Sequence, residues 1–372
     1  MKVVFAAGGT GGHINPALAA AGCLKSRNPD AEILFIGTEE HMESRLVPQA
    51  GFEFKTIHIA GFQRKLSVKN VIKNIRTLGL VLKSTSETKK ILREFCPDAV
   101  IGFGGYVSGP VVRTAHKMGI KTAIHEQNAF PGVTNKALAK DVDRVMLTVE
   151  QAEKYLAPKN EPIITGLPVR REIFDADRDF ARAKLGVGES QIMILSMGGS
   201  LGAKTINENM VEVITELCSD KRLVFMHSTG KYGTWVPAKL RENGVKTGVG
   251  TNVTVREYID DMDICLAASD LVISRAGASS LSEIEAVGRA SILIPSPNVA
   301  ENHQYHNAMT LVDNDAARVI EEKDLHDGRL LETVKELAYN PEMLRRFGEN
   351  AKKIAVMNSA EKICEVIEDL IG

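Results

Sequence analysis

Near its start the chain reads VVFAAGGTGGH (residues 3–13), and 190 residues later it reads MILSMGGSLGA (residues 193–203). Each string is a short apolar strand followed by two glycines, a hydroxyl residue and a further glycine that opens a helical pattern. Glycines after a strand let backbone N–H groups approach a ligand closely, and the following helix presents its positive end there. Two such strings predict two doubly wound α/β domains, each with a ligand edge at its strand carboxyl ends.

Apolar strands alternate with longer amphipathic stretches along the rest of the chain. This alternation is typical of parallel sheets covered by helices, and 372 residues exceed what one hydrophobic core usually serves. Gly166-Leu167-Pro168 interrupts a strand, so we expect one domain over residues 1–165 and another over residues 166–354. The final stretch, residues 355–372, is helical by its pattern.

The composition narrows the class of protein. A formal net charge of −1 gives no sign of nucleic-acid binding, and no CxxC pair occurs among the five cysteines, so they are expected to be reduced thiols. No run approaches the ~18 apolar residues that a membrane span needs. Residues 1–165 carry a balance of +7 and the remainder −8, which indicates either an anionic partner for the first half or two domains that drifted apart in charge.

Three strings in the first half stand where ligand contacts are expected. His13 ends the first glycine loop and is a candidate general base, with helix capping as the structural alternative. A second glycine cluster, Gly102–Pro110, favours close backbone approach to a ligand or to the first loop. The string from His125 to Asn128 ends a third strand, where Glu126 is a base, a partner for sugar hydroxyls or part of a buried polar network.

The second half carries candidates for a diphosphate and a ribose. Ser200 in the glycine loop and Arg170 past the predicted boundary both suit phosphate. The string Ser274–Glu283 ends a strand and opens a helix. Its first turn offers free N–H groups to a diphosphate, and they belong to Ala278, Ser279 and Ser280. Glu283 suits ribose hydroxyls or a capping box, and the polar run 298–307 suits sugar hydroxyls.

Together these strings resemble the MurG family, the cell-wall N-acetylglucosaminyltransferases that act on a lipid-linked muramoyl-pentapeptide. The resemblance runs in order through nearly the whole chain. It is carried by GGTGGH (Gly8–His13), GGYVSGP (Gly104–Pro110), HEQN (His125–Asn128), GGSLGA (Gly198–Ala203) and the run Arg275–Glu283. It implies a GT-B fold, which is two doubly wound Rossmann-like domains with an interdomain cleft. It also implies that the final helix crosses back onto the first domain.

The resemblance further implies inverting transfer of N-acetylglucosamine from UDP-GlcNAc to the C4 hydroxyl of lipid I, undecaprenyl-diphospho-N-acetylmuramoyl-pentapeptide, which forms lipid II. Donor binding is then expected in the second domain and acceptor binding in the first. The expected catalytic residues are His13 and Glu126. The expected donor-binding residues are Thr10, Gly11, Gly12, Asn128, Arg170, Ser200, Ile259, Ala278, Ser279, Ser280, Glu283 and Gln304. The acceptor-side residues are Gly104, Gly105, Tyr106 and Ser108, and the resemblance implies no cofactor and no metal.

A basic amphipathic stretch runs from Phe62 to Arg93, with nine Lys and Arg against one acid, Glu87. The pattern alone favours a core helix with a solvated basic face. The lipid acceptor implied by the resemblance reverses that preference and predicts peripheral binding to anionic lipids on the cytoplasmic face of the cell membrane. The expected membrane patch is Lys69, Ile72, Lys73, Ile75 and Arg76. Other cell-wall synthesis enzymes are expected partners.

Three positions depart from the residues usual in that family: Leu167 in GLPVR, Arg289 after a glycine, and His303 beside Gln304. Two other functions stay open at this point. A UDP-GlcNAc 2-epimerase shares the two-domain plan and the donor, but it needs no basic amphipathic stretch. A non-catalytic nucleotide-sugar-binding membrane protein needs the Glu283 site but no base.

Overall fold

The computed structural model describes residues 1–59 and 68–372, with side chains at residues 1–59, 80 and 83–372. The chain divides into two units. The first unit consists of Met1–Pro168 and Asn358–Gly372, and the second consists of Val169–Met357. The last helix therefore belongs with the residues that begin the chain.

The first unit is built on a sheet of seven parallel strands in the order β3-β2-β1-β4-β5-β6-β7. The strands are β1 (Lys2–Ala6), β2 (Glu32–Gly37), β3 (Glu53–Thr56), β4 (Ala99–Gly102), β5 (Lys121–Glu126), β6 (Arg144–Leu147) and β7 (Ile163–Ile164). Phe5 of β1 is paired with Phe35 on one side and Ile101 on the other, so the apolar β1 lies in the sheet interior. The order reverses at β1, and the loops after β1 and β4 leave the sheet where doubly wound folds bind ligands.

Helices cover both faces of this sheet. They are α1 (Gly11–Arg27), α2 (Glu43–Gln49), α3 (Val68–Phe95), α4 (Gly105–Lys117) and α5 (Val133–Leu138). On the face covered by α1, the rings of Phe5 and Phe35 stack with centroids 5.2 Å apart, and Phe103 lies 5.8 Å from Phe5. On the other face, Val107 and Val111 of α4 join a second buried apolar cluster. The sheet is therefore buried on both sides, as its continuous apolar strands predict.

The predicted membrane patch falls on α3. The side chains of Lys69, Ile72, Lys73, Ile75 and Arg76 lie outside the described residues, as do residues 60–67 at the start of the basic stretch. Within the described part of the chain, no helix has the length and apolar character needed to cross a bilayer.

The second unit repeats the plan with six parallel strands in the order β10-β9-β8-β11-β12-β13. The strands are β8 (Ile192–Met197), β9 (Leu223–Ser228), β10 (Val253–Arg256), β11 (Leu271–Ser274), β12 (Ala290–Leu293) and β13 (Ala317–Val319). The helices are α6 (Arg171–Asp175), α7 (Arg178–Leu185), α8 (Lys204–Leu217), α9 (Val236–Glu242), α10 (Met262–Ala268), α11 (Ala278–Val287), α12 (His303–Val312), α13 (Arg329–Ala338) and α14 (Pro341–Ile354).

The repeated glycine strings occupy the same position in both sheets. β1 and β8 each lie where the strand order reverses, and each is followed by its glycine loop. The prediction of two doubly wound α/β folds is therefore confirmed. Because the carboxyl ends of parallel strands share one edge, the loops after β8, β11 and β12 are neighbours in the second unit.

The final helix, α15 (Ser359–Ile371), packs against α1 in the first unit. Its apolar face is buried, including Ile363, Ile367 and Leu370. Glu368 accepts hydrogen bonds from the guanidinium of Arg27 at 2.6 and 3.1 Å and from the amide of Asn28 at 2.7 Å. Apolar burial and this polar group at the end of α1 together hold the C-terminal segment on the first sheet.

Replacing Ile367 with alanine tests this packing. Ile367 is fully buried, so Ile367→Ala should lower the free energy of unfolding of the first unit by about 2–5 kcal/mol. Denaturant unfolding measures the change. The control is Glu365→Ala on the exposed face of the same helix, which should stay within about 0.5 kcal/mol of the parent. Equal losses in both variants would show that α15 is not packed as described.

Candidate active site

The first glycine loop connects β1 to α1 at the carboxyl edge of the sheet. Gly9 has a φ of 90°, a conformation that residues with a β-carbon disfavour. Thr10 has extended backbone at the N-cap, and the first helical bond runs from His13 N–H to the Thr10 carbonyl at 3.0 Å. The N–H groups of Gly11 and Gly12 therefore have no partner within the helix, and they suit an anionic or sugar oxygen.

The second glycine cluster packs directly on the first loop. Gly104 and Gly105 have φ values of 99° and 76°. A β-carbon on Gly105 would overlap the carbonyl oxygen of Gly8, and one on Gly104 would lie 2.8 Å from His13 Nδ1. Only glycine fits at these two positions, and their close approach brings the loop after β4 against the imidazole of His13.

Glu43, the first residue of α2, anchors the first glycine loop through a hydrogen bond from its backbone. Its buried Oε2 accepts from Gly9 N–H at 3.1 Å, and its Oε1 accepts from Thr38 N–H at 3.2 Å and Thr38 Oγ1 at 2.7 Å. A β-carbon on Gly8 or Gly37 would lie 2.7 Å or 2.6 Å from atoms of this side chain. One carboxylate thus ties together the chain segments that follow β1 and β2.

A row of hydrogen bonds leads from His13 into the interior. His13 Nδ1 lies 3.0 Å from Gln127 Oε1, and Gln127 Nε2 lies 2.9 Å from the Phe103 carbonyl. The same amide nitrogen lies 3.1 Å from His125 Nδ1, and His125 Nε2 lies 2.9 Å from the Gly166 carbonyl. Burial lowers the pKa of His125 to about 4, so this imidazole is neutral at physiological pH.

Glu126 points to a different set of partners. Its Oε1 accepts from the backbone and side-chain N–H groups of Asn128 at 3.0 and 3.2 Å. Its Oε2 accepts from Gly132 N–H at 3.1 Å and the Asn135 amide at 2.8 Å. The side chain is buried, and four donors fill the acceptor positions of a carboxylate. This geometry does not support Glu126 as a base; it supports the buried polar network that the sequence left open.

Tyr106 and Ser108, both expected on the acceptor side, differ in accessibility. Tyr106 is partly exposed, with its ring edge 5.8 Å from the His41 ring, and burial raises the pKa of its phenol. Ser108 is fully buried on α4 beside Gly102, so its hydroxyl has no surface to offer a substrate. The expected acceptor contact is therefore wrong for Ser108 in this conformation, because α4 turns that side chain into the core.

The glycine loop of the second unit, Gly198–Gly202, leaves Ser200 exposed. A β-carbon on Gly202 would overlap the Thr229 carbonyl oxygen, so the loop packs tightly against the segment after β9. The Ser200 carbonyl also accepts from Lys231 N–H at 3.3 Å. These backbone contacts fix the loop while its hydroxyl side faces solvent, as a phosphate contact requires.

The start of α11, where the sequence predicts a diphosphate site, has N–H groups that no helical bond uses. The first helical bond runs from Leu281 N–H to the Gly277 carbonyl at 3.0 Å, so the preceding N–H groups have no helical partner. They belong to Ala278, Ser279 and Ser280. One turn further, Glu283 Oε1 accepts from Nε and an Nη atom of Arg170 at 3.3 and 3.2 Å. Burial raises the pKa of Glu283, and the Arg170 charge opposes that shift.

Gln304 lies at the neighbouring loop, on the second residue of α12. Its Oε1 accepts from Ser296 N–H at 2.9 Å, while its amide nitrogen makes no hydrogen bond in the part of the chain that the structure describes. Asn307, one turn along, donates to the Ala276 carbonyl at 3.2 Å and so ties α12 to the turn before α11. Gln304 therefore lies on the helix that this bond joins to the turn preceding the free N–H groups of α11.

Ile259 follows β10 at the same edge, with its side chain buried in the core and its main chain in the loop. Asp261, in an acidic run that resembles a metal motif, pairs with Arg256 at 2.6 Å. Among the described residues, no three His, Cys, Asp or Glu side chains form a group that could hold a metal ion.

Comparisons with known proteins identify the family. Models of the glycosyltransferase family 28 N-terminal and C-terminal domains match residues 3–147 and 193–364. The chain is 43% identical to the UDP-N-acetylglucosamine--N-acetylmuramyl-(pentapeptide) pyrophosphoryl-undecaprenol N-acetylglucosamine transferase of Acetivibrio thermocellus, over 100% of this chain and 98% of that protein. The crystal structure of Acinetobacter baumannii MurG is similar with a TM-score of 0.81 and 28% identity, covering 99% of each chain. The chain belongs to the MurG family.

Membership in the MurG family confirms the GT-B fold expected from the sequence, and the family 28 domains mark the chain as a glycosyltransferase. A UDP-GlcNAc 2-epimerase from Neisseria meningitidis, solved with UDP-GlcNAc bound, is similar with a TM-score of 0.64 at 14% identity, covering 99% of this chain and 100% of that one. That likeness extends to the fold alone, so the epimerase alternative is not favoured.

The structure shows where the three residues that depart from the usual MurG residues lie and what they contact. Leu167 is buried. Arg289 donates to the carbonyls of Leu266 and Ala267 at 3.2 and 2.7 Å, which caps the carboxyl end of α10. Burial lowers the pKa of Arg289 to about 10. His303 Nδ1 lies 2.8 Å from the Ala300 carbonyl, at the start of α12.

Sequence reasoning missed two residues that organise the first unit, Glu43 and Gln127. Gln127 lies in the HEQN string, where the titratable Glu126 beside it was the expected catalytic residue. Glu43 had a weaker signal, a single acid at the start of a helix after the second strand. Both act through contacts that join separate loops, so their partners were not visible in the local sequence.

Replacing Glu43 with glutamine should loosen the first glycine loop. An amide presents one acceptor oxygen, so Glu43→Gln turns a donor toward either Gly9 or Thr38 and leaves a buried N–H without a partner. The free energy of unfolding should fall by about 1–3 kcal/mol. Denaturant unfolding is the measurement, with the exposed Glu39→Gln as the control of equal charge change. Unchanged stability in Glu43→Gln would contradict the anchoring role.

Proposed function

We propose that the chain transfers N-acetylglucosamine from UDP-GlcNAc to the C4 hydroxyl of lipid I, forming lipid II with inversion at the anomeric carbon. The observation that carries the proposal is the imidazole of His13. It lies half-buried at the switch point of the first sheet, with Nδ1 engaged and Nε2 unbonded within the described residues. The relative from Acetivibrio thermocellus, which aligns over the whole chain, is named for the same transfer.

The second unit is proposed to bind the donor. The free N–H groups that begin α11 and the exposed Ser200 meet the diphosphate, and Glu283 accepts from the ribose hydroxyls. The main chain at Ile259 meets uracil, and the Gln304 amide donates to a GlcNAc hydroxyl. Arg170 donates two hydrogen bonds to the Glu283 carboxylate, which orient it and compensate its negative charge. The positive charge of Arg170 also lies near the diphosphate.

The first unit is proposed to bind and activate the acceptor. The acceptor hydroxyl attacks the anomeric carbon while its proton passes to His13 Nε2. The bond to the UDP oxygen breaks, and UDP leaves with the electron pair. Backbone N–H groups at the head of α11 stabilise the negative charge that develops on the leaving diphosphate. Thr10, Gly11, Gly12 and Asn128 support the sugar, and Gly104, Gly105 and Tyr106 line the acceptor side.

An assay of UDP release tests this function. With UDP-GlcNAc and a lipid I analogue, UDP should appear together with a product whose mass is larger by one N-acetylglucosamine residue. UDP release should require the acceptor. His13→Ala should lower kcat by about 10²–10⁴-fold, because the general base is lost. UDP release that does not depend on the acceptor would indicate an epimerase or hydrolase. Binding of UDP-GlcNAc without UDP release would indicate a non-catalytic sugar-binding protein.

We also propose that the protein works at the cytoplasmic face of the cell membrane, among other cell-wall synthesis enzymes, and so contributes to cell shape and division. The basic stretch from Phe62 to Arg93 supports this location because nine cations accompany a helical apolar pattern. Anionic headgroups attract such a stretch, and the lipid I substrate carries a diphosphate on a membrane-embedded chain.

Sedimentation with lipid vesicles tests the membrane proposal. Binding should be stronger to anionic than to neutral vesicles at low salt. Neutralising Lys69, Lys73 and Arg76 with glutamine should weaken it by about 3 kcal/mol, since each cation near an anionic surface contributes about 1 kcal/mol. The matched control replaces three exposed cations of the second unit with glutamine: Lys239, Lys335 and Arg345. Equal binding to both vesicle types would contradict the electrostatic contribution.

A further inference from the structure

Gln127 joins the candidate base His13 to the interior of the first unit. Its amide nitrogen lies 2.9 Å from the Phe103 carbonyl and 3.1 Å from the His125 carbonyl. A carbonyl oxygen only accepts hydrogen bonds, so the nitrogen end of the Gln127 amide must face these two groups. The oxygen end therefore faces His13, where Oε1 lies 3.0 Å from Nδ1.

This orientation determines which nitrogen of His13 carries the proton. An amide oxygen also only accepts, so Nδ1 must be the protonated nitrogen of the neutral ring that makes this bond. Nε2 then has the free lone pair. The base of the proposed transfer needs a lone pair toward the acceptor hydroxyl, and the opposite tautomer would present an N–H there instead.

His125 reinforces the same orientation from behind. Its Nε2 donates to the Gly166 carbonyl at 2.9 Å, so in the neutral ring Nδ1 is an acceptor for the Gln127 amide at 3.1 Å. The ring is fully buried and stacks on Phe103 with centroids 5.2 Å apart. Three acceptors thus surround the nitrogen end of Gln127, while none of them suits its oxygen.

We propose that Gln127 is the positioning residue that holds His13 in the Nδ1–H tautomer, with Nε2 as the base. The role of that base rests on the proposed function, whereas the tautomer is a property of the resting protein. Close packing supports the assignment, because a β-carbon on Gly104 would lie 2.8 Å from His13 Nδ1 and 3.4 Å from Gln127 Oε1. The imidazole and the amide therefore lie against a position that only glycine can occupy.

The ¹⁵N chemical shifts of His13 test the tautomer directly. The full chain, labelled with ¹⁵N-histidine and assigned by loss of signals in His13→Ala, should show a protonated Nδ1 and an unprotonated Nε2 in the neutral ring. Gln127→Met keeps the side-chain length and removes both amide functions, so each nitrogen should shift toward the value of a tautomer mixture. A protonated Nε2 in the parent protein, or unchanged shifts in Gln127→Met, would overturn the proposal.

Kinetics separate positioning from general stability. Gln127→Met should lower kcat by about 10–100-fold, with KM for UDP-GlcNAc within about twofold, because only the base is affected. Adding Gln127→Met to His13→Ala should cause no further loss, since a positioning residue acts through His13. Multiplying losses in the double variant would overturn the proposal.

The matched control is Gln191→Met in the second unit. Gln191 also bridges backbone groups, with Oε1 2.7 Å from Gly188 N–H and Nε2 2.7 Å from the Lys221 carbonyl. It should leave kcat and the His13 shifts unchanged. If the parent protein forms no product from lipid I analogues, the proposed function fails, and the His13 shifts still decide whether Gln127 sets the tautomer.

Discussion

The contact on which the first unit depends is the approach of Gly104 and Gly105 to the first glycine loop. A β-carbon at Gly105 would overlap the Gly8 carbonyl, and one at Gly104 would press on the His13 ring. Because no side chain intervenes, the loops after β1 and β4 touch through their backbones. His13 is thereby close enough to bond with Gln127, which follows β5. The imidazole thus links the segments that follow β1, β4 and β5.

The second unit has the same kind of close backbone contact at a glycine. A β-carbon on Gly202 would overlap the Thr229 carbonyl, so the glycine loop after β8 is fixed against the segment after β9. No histidine follows this loop, and Ser200 stays exposed. The repeated sequence string therefore gives a close backbone contact in both units, while the polar residues differ: His13 ends the first loop and Ser200 lies within the second.

The sequence predicted the fold well because buried parallel strands and glycine loops have local signatures. It predicted individual roles less well where the partner is remote. His125, Glu126 and Gln127 are consecutive, and alternation in a strand puts the first and third on one side and Glu126 on the other. The sequence does not reveal which side faces His13, since that depends on how α1 and α4 pack. The prediction that Ser108 contacts the acceptor was wrong for the same reason, because the rotation of α4 about its axis determines which of its side chains are buried.

The pair formed by Arg170 and Glu283 shows how one contact can serve two requirements. Burial raises the pKa of the Glu283 carboxyl, whereas the proposed ribose contact needs an ionised carboxylate that accepts from two hydroxyls. Arg170 supplies the opposing charge, but both of its hydrogen bonds go to Oε1. Oε2 takes no part in this ion pair and is the oxygen left for the proposed ribose contact. A single-oxygen ion pair therefore favours the charged form of Glu283 without consuming its capacity to bind, which a bidentate pair would do.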